Sequence, residues 1–336
     1  MQKILAFESS CDDTSVAILD TDYRVLVNLV SNQPEHLKFG GVLPELASRL
    51  HLKNILLLTR NALERANLQL NEIDAVAVSI NPGLIGSLLV GLSFAKSLAW
   101  SLSLPLITVN HMLAHIFANF IEHRQIEAPF LALVVSGGHT ELVHFKNLTE
   151  FEIIGKTVDD AAGESFDKAA KLLGLGFPGG PLIDRLAKNG AADFVQFPRG
   201  LIRKDNYNFS YSGLKTSIRT WLSTQEDGFV QANLPSIAAS VQQAIIDPLI
   251  RKSLLYARSQ GLRTILIAGG VAANSALRDQ LSQQAEKKGI RVYYPSLPYC
   301  MDNAAMVAAA AVPKYQAGLF ASLSVNAFSQ KGTKII

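Results

Sequence analysis

Two stretches of the chain share one pattern of hydrophobic and polar positions: an apolar run, a short polar turn and a second apolar run. The first is KILAFESSCDDTSVAILD at residues 3–20, and the second is FLALVVSGGHTELVHF at residues 130–145. Apolar runs of this length on either side of a polar turn predict β-hairpins. Because the two hairpins lie far apart along the chain, they predict a duplicated architecture.

Helical and extended patterns alternate along the rest of the chain. Apolar residues recur at helical spacing after Pro44, and an apolar strand pattern, IDAVAVSINPG, follows at residues 73–83. The alternation returns later, with helices at 236–259 and 274–289, strands at 263–270 and 291–295, and an alanine-rich helix from residue 302. Strands that alternate with helices predict an α/β fold.

The length of 336 residues is large for a single hydrophobic core and favours two lobes. The alternating pattern breaks at QIEAP, around residues 126–129. We therefore expect an amino-terminal lobe at residues 1–128 and a carboxyl-terminal lobe at residues 129–302, with residues 303–336 packing back on the first lobe.

Composition places the chain among compact globular proteins, since 49% of its residues are hydrophobic and 18% are charged. The net charge of +3 does not by itself indicate a nucleic-acid-binding protein. Two cysteines, Cys11 and Cys300, form no disulfide framework, which indicates a reducing compartment. The amino terminus lacks the pattern of a signal or transit peptide, so we expect a cytoplasmic protein.

One segment, residues 84–109, is apolar enough to raise the question of a membrane span. Lys96 lies near its middle and Pro105 near its end. These residues favour a buried helix followed by a strand, and we expect no membrane association.

His111 and His115 lie four residues apart in VNHMLAHIFANF, a run that is otherwise mostly apolar. On a helix, residues four apart share one face, so the two imidazoles can bind one metal ion. The apolar neighbours favour the alternative of two packed core histidines. A third ligand would decide between them, and the candidates are Asp302 and His139.

A zinc protease of the common helical type requires Glu directly after the first histidine of such a pair. Met112 occupies that position here, which argues against this class of enzyme. Asp302 follows YCM and is also expected to cap the last helix.

Three glycine-rich segments are suited to bind anions, because glycine lets backbone N–H groups approach a phosphate. They are centred on Gly137-Gly138, on Gly179-Gly180 before a predicted helix, and on Gly269-Gly270 before Asn274, a predicted helix cap. For the first segment, a hairpin turn with positive φ at glycine is an equally good explanation.

For the charged segment 159–174, helical spacing favours surface ion pairs, Glu164 with Lys168 and Asp167 with Lys171.

Taken together, several motifs resemble one known family, TsaD (formerly Gcp), over nearly the whole chain and in the same order. They are FESSCDDTSVAI, GGVLPELASRLH, NPGLIGSLLVG, NHMLAHI, LVVSGGHTEL, DDAAGESFDKAAKLLGLGFPGGP, FSYSGLKT, AGGVAANSALR and CMDNAAM. The resemblance implies a two-lobed actin-like, sugar-kinase-like (ASKHA) fold with duplicated RNase H-like domains.

The resemblance also implies an activity. The family transfers threonylcarbamoyl from threonylcarbamoyl-AMP to the exocyclic amine of the adenosine 3′ of the anticodon, in tRNAs that read codons beginning with A, and releases AMP. Bacterial members act with TsaB and TsaE, so TsaB-like and TsaE-like partners are expected. The alternatives are a metal-dependent glycoprotein endopeptidase, as the older family name suggests, and an ATP-hydrolysing regulatory subunit of the same fold.

The resemblance assigns roles to particular residues. It makes His111, His115 and Asp302 the ligands of one divalent transition metal, with Fe²⁺ favoured and Zn²⁺ the alternative, and so favours the metal interpretation over core histidines. The residues that it places around the adenylate are Val134, Val135, Ser136, Gly137, Gly138, Asp167, Gly180, Asp184 and Asn274. Asp12 is the candidate for positioning or deprotonating the amine.

Two positions depart from the pattern of many family members, which have Glu where this chain has Leu113 and Asp13. The first departure weakens any role for a carboxylate on that helix, and the second shortens the reach of a retained charge.

Basic and aromatic residues interleave at residues 199–219, which favours a tRNA-facing surface over a merely solvated one. They are Arg199, Arg203, Lys204, Lys215 and Arg219 with Tyr207, Phe209 and Tyr211.

Overall fold

The structure, a computed structural model, describes residues 1–39, 41–201 and 206–329. The chain divides into two compact units, the first formed by Met1–Ile126 with Leu297–Ile336 and the second by Glu127–Ser296. The second unit ends before the boundary expected at residue 302, so Asp302 belongs to the first unit.

The first unit is built on a five-stranded sheet with the strand order β3-β2-β1-β4-β5. The strands are β1 Lys3–Glu8, β2 Thr14–Asp20, β3 Val25–Ser31, β4 Ala75–Asn81 and β5 Leu106–Asn110. β1 to β3 form an antiparallel meander, whereas β4 and β5 run parallel to β1. The first predicted hairpin is therefore confirmed as β1 and β2.

Helices cover this sheet, and the last of them is buried on all sides. The helices of the first unit are α1 Pro44–Ala66, α2 Ile85–Leu102, α3 His111–Glu122, α10 Leu297–Cys300 and α11 Ala304–Gln316. α11, the predicted alanine-rich helix, is buried from Ala304 to Pro313 and packs against α3 and the sheet. Its small side chains let the two helices approach closely, so the carboxyl-terminal segment helps to fix α3.

The second unit repeats the sheet of the first. Its strands are β6 Phe130–Val135, β7 Thr140–Phe145, β8 Phe151–Lys156, β9 Thr264–Ala268 and β10 Arg291–Tyr293. Their order, β10-β9-β6-β7-β8, matches that of the first sheet strand for strand, with the same antiparallel meander and the same two parallel neighbours. The predicted duplication is confirmed.

The helices of the second unit are α4 Ala162–Leu172, α5 Gly179–Ala187, α6 Ser212–Leu222, α7 Phe229–Ala232, α8 Leu234–Ser259 and α9 Ser275–Glu286. Asn274 caps α9, as predicted, because its side chain accepts a hydrogen bond from the Leu277 N–H at 2.9 Å. Cys11 and Cys300 are not joined in a disulfide.

Among the described residues, α2 is the one helix whose length and composition would allow it to cross a membrane. It packs against α1 and β4. The ammonium group of Lys96 donates a hydrogen bond to the Val325 carbonyl of the same unit. The predicted helix and following strand are confirmed as α2 and β5.

Candidate metal centre and substrate-binding loops

The two histidines stand in the first turns of α3, a helix that begins directly after β5. Asn110 caps this helix, because its side chain accepts hydrogen bonds from the N–H groups of Met112 at 2.9 Å and Leu113 at 3.1 Å. His111 is 8% exposed and His115 is 3% exposed. The cap fixes the start of the helix and therefore the direction in which both imidazoles point.

Asp302 reaches both histidines from the loop before α11. Its Oδ1 atom lies 3.4 Å from His111 Nε2 and 3.2 Å from His115 Nε2. The prediction that Asp302 caps the last helix is wrong, because the Asn303 side chain accepts the N–H of Met306 at 3.1 Å. Since Asn303 serves as the cap, the Asp302 carboxylate is free to face the histidines.

Within residues 1–39, 41–201 and 206–329, these three side chains form a group suited to a metal ion, with one ligand atom from each lying within 4.8 Å of the others. This group contains Asp302 and not its predicted rival His139. Two imidazole nitrogens and one carboxylate oxygen are a common ligand set for Fe²⁺ and Zn²⁺ sites that keep open positions.

Glu8 and Ser10, two residues without a predicted role, support His111 from the other side of its ring. The Nδ1 atom of His111 lies 3.0 Å from Glu8 Oε2 and 3.1 Å from Ser10 Oγ. The other carboxylate oxygen of Glu8 accepts the Ser10 N–H at 2.6 Å. A signal was present in the sequence, because Glu8 is an acidic residue directly after the apolar run Ile4–Phe7.

The buried charges perturb one another. Burial by itself would lower the pKa of His111, but the carboxylates of Asp302 and Glu8 outweigh burial and raise its pKa to about 9. Burial would raise the pKa of both carboxyl groups, yet the positive charge that His111 can carry holds them below their usual range. The site is thus built to hold a cation between two anions.

The nitrogen and oxygen atoms that face the site indicate whether that cation can be a metal ion. When the Nδ1–H of His111 donates to Glu8, its Nε2 lone pair points toward the Asp302 carboxylate, and the two groups repel unless a cation lies between them. A proton or a metal ion satisfies this requirement. His115 Nδ1 is buried and has no hydrogen-bond partner in the described part of the chain. We conclude that the residues fit a metal ion bound through both Nε2 atoms.

Asp12 lies in the turn between β1 and β2, which also contains Ser10. Its neighbour Asp13 is partly buried, and burial together with the negative charges of Asp12, Asp302 and Glu8 raises the pKa of Asp13 to about 6, despite a hydrogen bond from Asn32. The turn therefore carries a carboxyl group that titrates near neutral pH.

Some predicted substrate-binding residues of the second unit lie at or just after the carboxyl ends of β6 and β9, whereas Asp167, Gly180 and Asp184 lie in α4 and α5. These two strands are parallel neighbours, and ligands of α/β sheets commonly bind at such strand ends. Val134 and Val135 are buried at the end of β6. Gly269, just after β9, has a φ of 88° and would bring a Cβ to 2.5 Å from the Val135 carbonyl oxygen. Only glycine fits there.

The loop after β6 packs against the start of α4. The N–H groups of Gly163 and Glu164 donate to the carbonyl oxygens of Ser136 and Gly137, each at 3.2 Å. A Cβ on Gly163 would lie 2.6 Å from the Ser136 oxygen, whereas a Cβ on Gly137 would meet no atom within 4 Å. Gly137 does not have a positive φ either, so a turn requirement does not explain this glycine.

Gly179 and Gly180 also differ in the space around them. A Cβ on Gly179 would lie 2.5 Å from the Cβ of Ala170, so close packing of α4 and α5 requires this glycine. Gly180 is open, with the nearest atom 4.0 Å away. Asp167 accepts the Gly179 N–H at 2.7 Å, and the predicted ion pair of Asp167 with Lys171 is absent among the described residues, whereas that of Glu164 with Lys168 is confirmed at 2.9 Å.

Two further predicted residues join the start of α9 to other helices, Asp184 to α5 and Asn274 to α8. The Asp184 carboxylate accepts the Ser275 hydroxyl at 2.9 Å and the Ser275 N–H at 3.2 Å. The Asn274 amide donates to Gln242 at 2.7 Å while it caps α9. The structure therefore brings the four predicted glycine-rich and acidic segments into one hydrogen-bonded region of the second unit.

Two aromatic residues of the predicted tRNA-facing surface at residues 199–219 are buried. Phe209 and Tyr211 are 0% and 3% exposed and lie in the core of the second unit, so the prediction that these two rings form part of that surface is wrong. Tertiary packing has used these two rings, and sequence alternation cannot distinguish this from an exposed surface. Arg203 and Lys204 lie outside the described residues.

Duplicated five-stranded sheets define an actin-like fold of the ASKHA class, here with a candidate metal centre in its first unit. HypF from T. kodakarensis shares this fold, with a TM-score of 0.65 at 14% identity over 94% of this chain and 48% of that chain. The sequence profile described as "TsaD: tRNA N6-adenosine threonylcarbamoyltransferase" matches residues 24–309. The chain belongs to this family.

Full-length relatives carry the same description. The chain is 47% identical to the tRNA N6-adenosine threonylcarbamoyltransferase of Clostridioides difficile (strain 630) over 324 residues, which is 96% of each protein. It is 48% identical to that of Kosmotoga olearia over 326 residues, which is 97% of each protein. The chain thus resembles enzymes of tRNA modification along its whole length.

The charge balance at His111 predicts how the stability of the metal-free protein depends on pH. Because the pKa of His111 rises from its ordinary 6.5 to about 9 on folding, the stabilisation is fully present below pH 6.5 and is lost as the pH rises to 9. Glu8→Gln removes one of the two responsible carboxylates and should reduce this loss. Urea unfolding between pH 6 and pH 10 measures it.

A matched control is Glu150→Gln, which alters a carboxylate that is largely exposed and paired with Lys146. This variant should keep the pH dependence of the wild type. If Glu8→Gln also keeps it, Glu8 does not set the charge on His111.

Proposed function

We propose that this protein transfers the threonylcarbamoyl group from threonylcarbamoyl-AMP to the exocyclic amine of the adenosine 3′ of the anticodon, in tRNAs that read codons beginning with A. The observation that carries the proposal is the convergence of His111, His115 and Asp302 in a member of this enzyme family. The open backbone at Gly137 and Gly180 adds a place where a nucleotide phosphate can approach.

The proposed metal ligands are His111, His115 and Asp302, and the ion proposed is Fe²⁺, with Zn²⁺ as the alternative. When bound, such an ion supplies a Lewis acid that can orient and polarise a carbonyl group. Glu8 holds the Nδ1–H of His111 and so keeps the Nε2 lone pair available for an ion.

The reaction requires an activated acyl donor, because the lone pair of an exocyclic adenine amine is delocalised into the ring. In the adenylate, a carbonyl is joined to phosphate as a mixed anhydride. The amine nitrogen forms a bond to that carbonyl carbon, the carbon–oxygen bond to AMP breaks, and AMP leaves with the electron pair. The proposed phosphate and nucleotide contacts are the loop 136–138, Gly180, Asp184 and Asn274, in addition to Val134, Val135 and Asp167 around them.

The amine loses a proton during this transfer, and the turn after β1 supplies carboxylates to accept it. Asp12 is the proposed base or positioning group. Asp13 is its neighbour and titrates near pH 6, so a proton taken up by this turn can be released again at neutral pH.

tRNA and threonylcarbamoyl-AMP are the proposed substrates, and TsaB-like and TsaE-like proteins are the proposed partners. The endopeptidase alternative is disfavoured because Met112 stands where a zinc protease of the common helical type has its catalytic Glu. No feature of the described residues favours the regulatory ATPase over the transferase.

Reconstitution tests the proposal. The purified chain, supplied with its partner proteins, tRNA and threonylcarbamoyl-AMP, should form threonylcarbamoyladenosine and release one AMP for each modified nucleoside, as measured by nucleoside mass spectrometry. Metal-dependent cleavage of a glycoprotein without any modified nucleoside would replace the proposal with the protease. Release of phosphate from ATP alone would replace it with the regulatory subunit.

The metal assignment has its own prediction. His111→Ala and His115→Ala should each lower the bound metal from one ion per chain to a small fraction. Mutation of a residue that only hydrogen-bonds to a metal ligand typically lowers metal affinity about 10- to 100-fold, and loss of a direct ligand should lower it further. Elemental analysis measures the metal, and circular dichroism shows that the fold remains.

The control is His144→Ala, which removes a histidine of the other unit that bonds to the Tyr256 hydroxyl. This variant should bind metal as the wild type does. Full metal content in both α3 variants would disprove the ligand assignment.

The two glycines of the β6 and α4 contact give a matched pair of substitutions. Gly137→Ala should leave the free energy of unfolding within about 1 kcal/mol of the wild type but raise the KM for threonylcarbamoyl-AMP about tenfold, because the new methyl group occupies space above an open backbone. Gly163→Ala should destabilise the fold by about 1–3 kcal/mol, because its Cβ meets the Ser136 oxygen. Urea unfolding and steady-state kinetics measure both, and normal adenylate use by Gly137→Ala would contradict a close approach there.

A further inference from the structure

A cavity of about 480 Å³ opens on the second unit beside the last turns of α8. Its charged lining residues are Arg199, Asp247, Arg251, Arg258 and Lys288. We call this feature the basic groove. Its four cationic side chains and one carboxylate give it a formal charge of +3, equal to the net charge of the whole chain.

Asp247, the one carboxylate that lines the groove, is hydrogen-bonded through both of its oxygens. Arg199 donates to Asp247 Oδ2 through Nε at 2.9 Å and Nη2 at 2.8 Å. Gln243 donates to the other oxygen of Asp247 at 2.5 Å. Because both oxygens have partners, Asp247 is not available to neutralise Arg251, Arg258 or Lys288.

These three cations remain available for an external anion. None of them takes part in a salt bridge among the described residues, and all three are exposed. Lys288 makes only a long 3.5 Å contact to the Gln284 carbonyl. Arg251 and Arg258 are seven residues apart on α8, so they share one helix face and stand about 10 Å apart along its axis.

We propose that the basic groove binds the phosphate backbone of tRNA through Arg251, Arg258 and Lys288. This inference rests on the proposed function, which makes tRNA the macromolecular substrate. The spacing along α8 lets the two arginines contact different phosphates of one strand. Three such contacts position an RNA without reading its sequence.

The floor of the groove distinguishes RNA from an acidic protein segment. Ile250 and Leu254 are 3% and 5% exposed and lie beneath the charged rim. Protein interfaces usually place an aromatic or aliphatic anchor in a pocket at their centre. This groove instead presents arginine and lysine over a covered apolar floor, which suits a polyanion held by its charge.

The test measures tRNA binding and tRNA modification by the reconstituted complex, with the variant Arg251→Ala/Arg258→Ala/Lys288→Ala. We expect tRNA affinity to fall at least about tenfold at low salt. The plot of log K against log salt concentration should become less steep, its slope shrinking in magnitude by about two to three, because each lost phosphate contact reduces the magnitude of the slope by about one. The KM for tRNA should rise while kcat and the KM for threonylcarbamoyl-AMP stay unchanged. Arg251→Lys/Arg258→Lys should retain most of the affinity, since it retains the charges.

A matched control, Arg263→Ala/Lys287→Ala/Arg291→Ala, removes three exposed charges of the same unit that do not line the groove. This control should keep the tRNA affinity and salt slope close to those of the wild type. Equal weakening by both triple variants, or unchanged tRNA binding by the groove variant, overturns the proposal. So does a groove variant that loses a partner protein and not tRNA.

This experiment distinguishes a wrong groove assignment from a wrong proposed function. If the wild-type complex modifies tRNA but the groove variant binds tRNA normally, the groove assignment is wrong and the proposed function stands. If the wild-type complex forms no modified nucleoside, the proposed function is wrong, whatever the variants do.

Discussion

The cation requirement at His111 organises the first unit. A buried imidazole lies between two carboxylates, the buried Glu8 at the end of β1 and the partly buried Asp302 before α11. Two anions this close to one buried imidazole are stable only with a positive charge between them, whether a proton or a metal ion. The elements that supply these groups must therefore be held in place, and much of the surrounding structure does this.

The polar turn after β1 shows how that is achieved. The Leu84 N–H donates to the Ser10 carbonyl at 2.7 Å, and a Cβ on Gly83 would lie 2.5 Å from the same oxygen. On the other side, His51 bridges the Thr14 hydroxyl at 2.8 Å and the Cys11 carbonyl at 2.9 Å, and burial lowers its pKa. The turn that presents Ser10 and the two aspartates is thus fixed by α1 and α2.

The second unit uses the same sheet for a different purpose. The loops at the ends of β6 and β9 and the starts of α4 and α5 contain glycines of two kinds. Gly163, Gly179 and Gly269 are required because backbone or side-chain atoms approach too closely for a Cβ, whereas Gly137 and Gly180 leave open space. The crowded glycines bring the loops together, and the open ones leave backbone accessible to a ligand. Duplication of one fold has therefore produced a charged centre in one unit and a backbone-lined region in the other.

The sequence by itself determined the local elements and the residue types of the site. Alternating apolar runs identified both hairpins, Pro44 marked the start of α1, and the four-residue spacing put His111 and His115 on one face, because these features depend on near neighbours in the chain. It could not determine that Asn303 and not Asp302 caps α11, that Glu8 holds His111, or that Phe209 and Tyr211 are core residues. Each of these depends on which distant segment packs against the residue, and the tertiary structure alone decides that, because it sets the burial and the hydrogen-bond partners that local sequence leaves open.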